Sequence, residues 1–254
     1  MIALAGRVRL VVAATSVLGI AAFCWPLLIP ASPAAQAHPH DAPLVVLFLL
    51  PLLMLIAVAE VSSGRIESKQ IALLGILAAL AAALRPLGAG AIGIEPMWFV
   101  IILGGFVFGS GFGFLLGSLS LFASALLTGG VGPWLPFQMM AASWIGLLAG
   151  VLPRRGKRGE GAVLIGYGIV AAFGFGLLMD LQFWPWALGT TTSLSYQPGG
   201  GLSENLGRFL AFHSVTALGW DLPRAITNAL LLGFAGPALL SALRRGARRS
   251  VFAN

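Results

Sequence analysis

The stretch that decides the fold is EPMWFVIILGGFVFGSGFGFLLGSLSLFASALLTGGVGPWLPFQM, residues 95–139. It has no charged residue after Glu95, and Gly, Leu and Phe dominate it. Backbone polar groups in lipid must be satisfied within the segment, which such runs achieve as helices, whereas barrel strands alternate apolar and polar residues. The stretch predicts two short membrane helices, 97–108 and 113–128, with a re-entrant hairpin across 109–111 as the alternative.

The rest of the chain has the same character. Of 254 residues, 58% are hydrophobic and 9% are charged, and the mean hydropathy is +0.95. A soluble domain with a hydrated surface does not carry this balance, so we expect an all-α membrane protein. At about 20 apolar residues per crossing, the sequence predicts about eight transmembrane helices: 8–30, 44–59, 70–84, 97–108, 113–128, 135–152, 162–179 and 222–243.

The basic residues orient these helices, because cytoplasmic loops retain Lys and Arg. With both termini in the cytoplasm, the inner side receives Arg7, Arg9, Arg65, Lys69, Arg154, Arg155, Lys157, Arg158, Arg244, Arg245, Arg248 and Arg249. Their position beside apolar runs indicates contact with the lipid bilayer and no nucleic-acid partner. Arg85, Arg208 and Arg224 fall on the outer side and need another explanation.

The N-terminus resembles a secretory signal, with Arg7 and Arg9 before an apolar core and a small-residue site at 35–37. The core is longer than a signal core usually is, so we expect a retained anchor, with cleavage as the alternative. The only cysteine, Cys24, excludes an internal disulfide. The segment 38–41, HPHD, is expected to be a solvated loop, and no metal site is predicted.

A long outer segment is predicted between the last two spans. Its middle, 190–201, is rich in Thr, Ser, Pro and Gly, so we expect an outer loop at about 181–220. From Ser203, the residues Leu206, Phe209, Leu210 and His213 recur at helical spacing and predict a short amphipathic helix at the outer surface. The pattern fits a lid over a pocket and an ordinary interfacial helix equally well.

Several chemistries are absent from the sequence. There is no GxxxxGK[ST] phosphate-binding loop and no GxSG protease motif. The carboxylates Glu60, Glu95, Asp180 and Asp221 are predicted near helix ends, whereas ion-coupled carriers place such groups near the bilayer midplane. We therefore expect no catalytic residue, no cofactor and no enzyme. A stand-alone secondary transporter or channel for a small organic solute is the alternative function.

The third predicted helix carries small residues four apart on adjacent stripes: Gly75, Ala78, Ala79, Ala82 and Ala83. Such spacing lets another helix backbone approach closely. The residues predict a docking face, with packing inside the same bundle as the alternative.

From Gln70 onward the chain resembles the S component, the substrate-binding subunit, of an energy-coupling factor (ECF) transporter. The resemblance rests on QIALLGILAALAAALRP at 70–86, on the block 95–139, and on WDLPRAITNALLLGFAGPALLSALRR at 220–245. It implies a six-helix core at 70–254 that binds a vitamin-like ligand near its outer face, preceded by two additional helices in 1–69. It also implies two kinds of partner, a membrane T component and two cytosolic ATPases, and a multi-pass location in the bacterial cytoplasmic (inner) membrane.

Six of the seven tryptophans fall toward the outer side, which favours a pocket over a membrane-interface belt. For the outer arginines, the sequence leaves open snorkelling, pairing with Glu95 or Asp221, and contact with an anionic ligand. The likeness to cobalamin-type members makes cobalamin or a related corrinoid the first expected ligand, with other vitamins and nucleobase-like precursors as alternatives. The expected binding residues are Arg85, Glu95, Trp98, Trp134, Gln138, Asp180, Trp184, Trp186, Arg224 and Asn228.

Overall fold

The computed structural model describes residues 6–28, 52–53, 55–56, 59, 68–88, 93–154, 157–189, 192–197 and 199–251. Every regular element in these ranges is a helix, which confirms the all-α prediction. The helices are α1 (Gly6–Leu28), α2 (Ser68–Leu84) with a 3-10 turn after it (Arg85–Gly88), α3 (Met97–Phe108), α4 (Ser110–Thr128), α5 (Leu135–Ala149), α6 (Lys157–Ala187), α7 (Leu202–Phe234) and α8 (Gly236–Val251).

Some sequence predictions fall outside the described residues. They are the possible cleavage site at 35–37, the segment 38–41 and most of the predicted span 44–59. Of that span, Leu53 and Ile56 are helical and buried.

Four helical segments are long and apolar enough to cross a membrane: Arg9–Leu27, Ser68–Gly88, Ser110–Thr128 and Gly159–Ala187. The bent pair α7 and α8 provides a fifth, and α3 and α5 are shorter apolar helices. The chain is therefore a multi-pass helical membrane protein.

The tightest packing joins the antiparallel helices α4 and α5. A Cβ atom on Gly113 would overlap the carbonyl oxygen of Gly146, and one on Gly117 would overlap that of Ala142. Neighbouring lipid tails are as apolar as the side chains, so close backbone packing of this kind is what holds membrane helices together. The glycines of the fold-deciding stretch are thus needed for helix contact.

Helix α3 lies at the centre of the bundle, where Val100, Ile101, Ile102, Leu103 and Phe106 are fully buried. It is only 12 residues long, or about 18 Å at 1.5 Å per residue, and so does not span the hydrocarbon core of about 30 Å.

The inner end of α3 is closed by polar contacts. Gly109, at φ 100°, separates α3 from α4. The guanidinium of Arg154 donates a hydrogen bond of 2.7 Å to the carbonyl oxygen of Phe106 and lies over its ring. A Cβ atom on Gly150, which follows α5, would overlap the backbone at Gly109 and Ser110, so the α3–α4 turn lies at the inner end of α5.

The predicted outer loop at 181–220 is wrong in its extent. Helix α6 continues to Ala187 and α7 begins at Leu202, so most of the segment is helical. The short amphipathic helix predicted from Ser203 is the first part of α7, which runs through Pro223 to Phe234. Hydropathy marks where a helix leaves the lipid, and these two helices continue beyond that point because they pack against each other.

The predicted last span, 222–243, is also wrong in its bounds. α7 ends at Phe234, and α8 departs at an angle of 62°. Gly236 and Pro237 follow the bend, and proline is well tolerated in a first helical turn. Leu239, Leu240 and Leu243 of α8 pack on the core, while four arginines make the same helix too polar to span lipid.

Helix α1 packs at the periphery of the bundle. Phe23 lies against Phe137 of α5, with ring centroids 5.1 Å apart, and the indole of Trp144 donates a hydrogen bond of 2.9 Å to Ser16. Further out, Trp25 stacks near Trp186 of α6 at 5.9 Å. These contacts lie in the middle and the C-terminal part of α1.

The α4–α5 packing yields a stability prediction. Gly113→Leu forces the two backbones apart, and overpacking of this kind costs about 1–3 kcal/mol or more. We expect a lower melting temperature and poorer recovery of monodisperse protein in detergent. The matched control is Gly166→Leu on α6, where a side chain meets no atom within 4 Å. Equal behaviour of the two variants would contradict this account of the packing.

Candidate functional site

Because α3 has only 12 residues, the outer part of its position in the bundle holds no helix among the described residues, and we call this region the recess. Just before α3, a Cβ atom on Gly93 would overlap the carbonyl oxygen of Trp220 in α7. Trp220 lies 14 residues before Phe234, the last residue of α7, or about 21 Å along the helix axis. With the bend at the inner boundary of a hydrocarbon core about 30 Å thick, α3 begins well below the outer surface.

The floor of this recess is a buried ion cluster. The guanidinium of Arg224 donates from Nε to the carboxylate of Glu95 at 2.7 Å and from Nη1 to that of Asp221 at 2.6 Å. The indole of Trp98 donates to the same oxygen of Glu95 at 2.8 Å. Arg224 and Asp221 are 5% and 1% exposed. Buried charges require such pairing because desolvation is costly.

The prediction that the carboxylates lie near helix ends is wrong for Asp221, because this residue lies inside α7, which runs from Leu202 to Phe234. Arg224 lies ten residues before Phe234, or about 15 Å along α7, which is near the middle of a 30 Å core that begins at the bend. Because the sequence analysis began the last span at residue 222, it placed Asp221 at the end of a helix. Ionisable groups at this depth usually belong to a functional site.

Aromatic rings surround the cluster. Arg224 lies over the ring of Phe175, 5.1 Å from its centroid, and the ring of Trp98 lies 4.4 Å from Phe175. Gly176 permits the approach of Asp221, because a Cβ atom at that position would overlap the carboxylate. The guanidinium is therefore held by charge on one side and by a ring face on the other.

The second outer arginine makes a different contact. Arg85, at the end of α2, donates a hydrogen bond of 3.2 Å to the side-chain oxygen of Gln138 on α5. The structure thus brings together two of the expected binding residues from opposite sides of α3. Of the alternatives for these arginines, pairing with carboxylates holds for Arg224.

A second polar group lies further out, between α6 and α7. Asp180 accepts hydrogen bonds from Thr216 at 2.6 Å and contacts His213 at 2.7 Å through one carboxylate oxygen. These three side chains join α6 to α7 toward the outer ends of the two helices.

An aromatic cluster covers these three side chains. Trp184 is 1% exposed, donates to the carbonyl oxygen of Leu194 at 2.7 Å, and contacts Tyr196 and Phe209 at ring distances of 5.3 and 5.5 Å. Phe209 in turn stacks on His213 at 6.0 Å. The connection after α6 is therefore anchored to the helix pair.

The contacts between α6 and α7 follow one antiparallel register. Every fourth residue of α6 meets α7, from the inner to the outer end: Gly168 with Asn228, Ala172 with Arg224, Gly176 with Asp221, Asp180 with His213, and Trp184 with Phe209. Helical periodicity places residues four apart on one face. We call these five contacts the polar ladder. They connect the buried ion cluster to the aromatic cluster around Trp184.

Two of the expected binding residues lie away from the ion cluster. Trp134 is 46% exposed and donates to the carbonyl oxygen of Gly130 in its own turn, so it faces outward at the surface. Trp186 contacts Trp25 of α1 instead of the ion cluster. The other expected residues either belong to the ion cluster, contact each other as Arg85 and Gln138 do, or lie along the contacts between α6 and α7.

Several residues of the site escaped the sequence analysis. Phe175, Tyr196 and Thr216 carry no spacing signal that separates them from ordinary lipid-facing or loop residues. Asp221 was recognised as a possible partner of an arginine, and its place three residues before Arg224 was the available signal. Phe209 and His213 were recognised only as part of a helical stripe.

Comparison with known proteins agrees with this geometry. Residues 69–234 match the family model described as ECF transporter, substrate-specific component. The chain belongs to this family. Searches of the curated proteins and of the solved structures each returned no significant match. The matched region contains α2 to α7, so among the described residues six complete helices fall within the match, α1 lies before it and α8 lies after it.

The first helix of the matched region has one exposed small-residue stripe. On α2 of the S component, Gly75, Ala79 and Ala83 are exposed, and a Cβ atom on Gly75 would meet nothing within 4 Å. Ala78 and Ala82, predicted as docking residues with them, are 5% and 0% exposed because they face the bundle. Two of the five predicted docking residues are therefore buried within the chain.

The ion cluster yields a second prediction. Arg224→Gln leaves Glu95 and Asp221 without their counter-charge, and removing one partner of a buried pair costs about 3–5 kcal/mol. We expect a large drop in melting temperature in detergent, partly reversed in the double variant Arg224→Gln, Asp221→Asn. The control is Arg245→Gln, an exposed arginine of α8 with a neutral partner, Ser241. A drop no larger than that of the control would contradict the paired cluster.

Proposed function

We propose that the chain captures a vitamin-type micronutrient from the outer side, in the recess above α3, and delivers it inward when partner subunits use ATP. The observation that carries the proposal is the ion cluster of Glu95, Asp221 and Arg224 at the floor of an outward recess, in a chain of the substrate-specific family. Polar groups at this depth are costly, and a binding role accounts for them.

The recess favours a ligand with hydrogen-bond donors. Arg224 is neutralised by two carboxylates, so it offers little attraction for an anionic ligand. Oδ2 of Asp221 and Oδ1 of Asn228 are buried acceptors without a hydrogen-bond partner. Unpartnered buried acceptors cost free energy, which a donor-bearing ligand offsets on binding. Gln138, Asp180 and the rings of Trp98 and Trp184 would then fix its orientation.

Cobalamin or a related corrinoid is the first compound to test, because the outer side is rich in large aromatic rings that offer contact area to a bulky ligand. We expect the protein, purified after incubation with cobalamin, to retain its visible absorbance through gel filtration. Arg245→Gln, a change at an exposed arginine of α8 whose partner is Ser241, should leave retention unchanged, whereas Asn228→Leu should reduce it. A protein that never retains the absorbance excludes corrinoids and leaves the capture role to another micronutrient.

We infer further that α2 docks on a membrane T component that works with two cytosolic ATPases. The exposed stripe of Gly75, Ala79 and Ala83 supports this, because small residues permit close approach of a second helix. Ile76 and Leu80 flank the stripe and are 66% and 41% exposed. The stripe thus lies in an apolar face that a membrane partner would cover.

Docking through α2 predicts a position-specific effect. Ala79→Trp should greatly reduce recovery of the T component and the ATPases with the tagged chain, because the bulky ring holds the helices apart. Gly166→Trp, at an exposed glycine of α6 with open space around it, should recover them as the unchanged protein does. Equal recovery by the two variants would contradict docking through this stripe.

One observation favours the alternative of a stand-alone secondary transporter. The carboxylates of Glu95 and Asp221 flank a buried arginine near mid-membrane, where ion-coupled carriers place their coupling groups. That function requires solute uptake by proteoliposomes that contain this chain alone and carry a proton or sodium gradient. Uptake of the retained compound without any ATPase would replace the proposed function, and its absence would support the subunit role.

A further inference from the structure

A cavity lies at the inner side of the molecule, far from the ion cluster. It occupies about 580 Å³ between the first turns of α6 and the bend that joins α7 to α8. This volume falls within the roughly 300–1,000 Å³ typical of sites for small organic molecules. The walls include Leu164 of α6, Leu232 of α7 and Leu240 of α8, and the rim includes Glu160, Ser241 and Arg244.

The polarity of the cavity changes along the membrane normal. α6 runs outward from its inner end, so Leu164 lies one turn deeper in the membrane than Glu160. α7 runs inward, so Leu232 lies deeper than the bend at Ala235. The apolar wall is therefore at the level of lipid tails and the polar rim at the level of headgroups, which is the orientation of an inner-leaflet phospholipid.

The rim joins two helices by one ion pair. Arg244 of α8 donates to the carboxylate of Glu160 on α6 at 2.8 Å. Glu160 is 8% exposed, whereas the side chain of Arg244 is 37% exposed. A guanidinium has five N–H donors, so Arg244 retains donors for a second anion at the headgroup level.

The described charge beside the cavity is positive. Arg244 lines it, and Arg245 donates a hydrogen bond of 3.3 Å to Ser241, another lining residue. Glu160 is the only acidic residue that lines it. Basic clusters at the cytoplasmic surface attract anionic lipids, and basic pockets between helices bind their headgroups. A zwitterionic lipid would gain much less from this arrangement.

We propose that the cavity holds one anionic phospholipid of the inner leaflet. An acyl chain lies between Leu164, Leu232 and Leu240, and the phosphate contacts Arg244. The lipid then fills the space between α6 and α8 and fastens α8 beneath the bundle. α8 follows the region shared with the family, which ends at residue 234, so the wall that α8 supplies lies beyond the match, whereas the walls from α6 and α7 lie inside it.

The test is native mass spectrometry of the full chain in a non-ionic detergent, with added phosphatidylglycerol or phosphatidylcholine. We expect one phosphatidylglycerol to bind more tightly than phosphatidylcholine. Arg244→Gln should weaken phosphatidylglycerol binding about fivefold, the loss expected from one basic residue beside an anionic lipid surface. Lys69→Gln, which removes an exposed inner charge at the start of α2, should not weaken it.

A second pair of variants tests the cavity independently of charge. Gly161 lines the cavity, and a Cβ atom there meets nothing within 4 Å, so Gly161→Phe should fill the space and expel the lipid. Gly166→Phe on the same helix should retain it. Equal retention of the two lipids by the unchanged protein, or retention unaffected by both Arg244→Gln and Gly161→Phe, would overturn the proposal. Full competition by inorganic phosphate would also overturn it, since the site would then bind a soluble anion.

Discussion

The pairing of Arg224 with Glu95 and Asp221 is the interaction on which the rest of the site depends. A guanidinium near the middle of a bilayer is tolerated only when a carboxylate neutralises its charge and its N–H groups are hydrogen-bonded. The loop before α3 supplies one carboxylate, α7 supplies the other, and Phe175 of α6 supplies a ring face. One side chain thereby positions three parts of the bundle relative to one another.

The second constraint is the length of α3. Because α3 has only 12 residues, side chains from the neighbouring helices surround the outer part of its position in the bundle. α6 and α7, at 31 and 33 residues, extend past the lipid and form a wall beside the recess. A protein of this shape presents buried polar groups to the outer side while α4 and α5 remain tightly packed, which suits capture without covalent chemistry.

The sequence predicts the fold class and the family, because these depend on composition and local spacing. Three features needed the structure. The sequence predicts a short helix from Ser203, but the continuation of this helix into the last span is too polar for a hydropathy criterion, and packing on α6 stabilises it. Ala78 and Ala79 have equivalent spacing, so only the bundle decides which one is buried. Pairing of Arg224 with Glu95, 129 residues away, was one of three alternatives that the sequence left open, and no local pattern selects among them.

The account is tested most directly by finding which side of the membrane opens onto the recess. In a Cys24→Ser background, Gln138→Cys places a thiol beside Arg85 in the recess, and Ser241→Cys places one at the inner rim of α8. We predict that a membrane-impermeant maleimide added to intact cells labels position 138 and leaves position 241 unlabelled, with position 241 labelled in inverted vesicles. Labelling of position 138 only in inverted vesicles would contradict an outward-facing binding site.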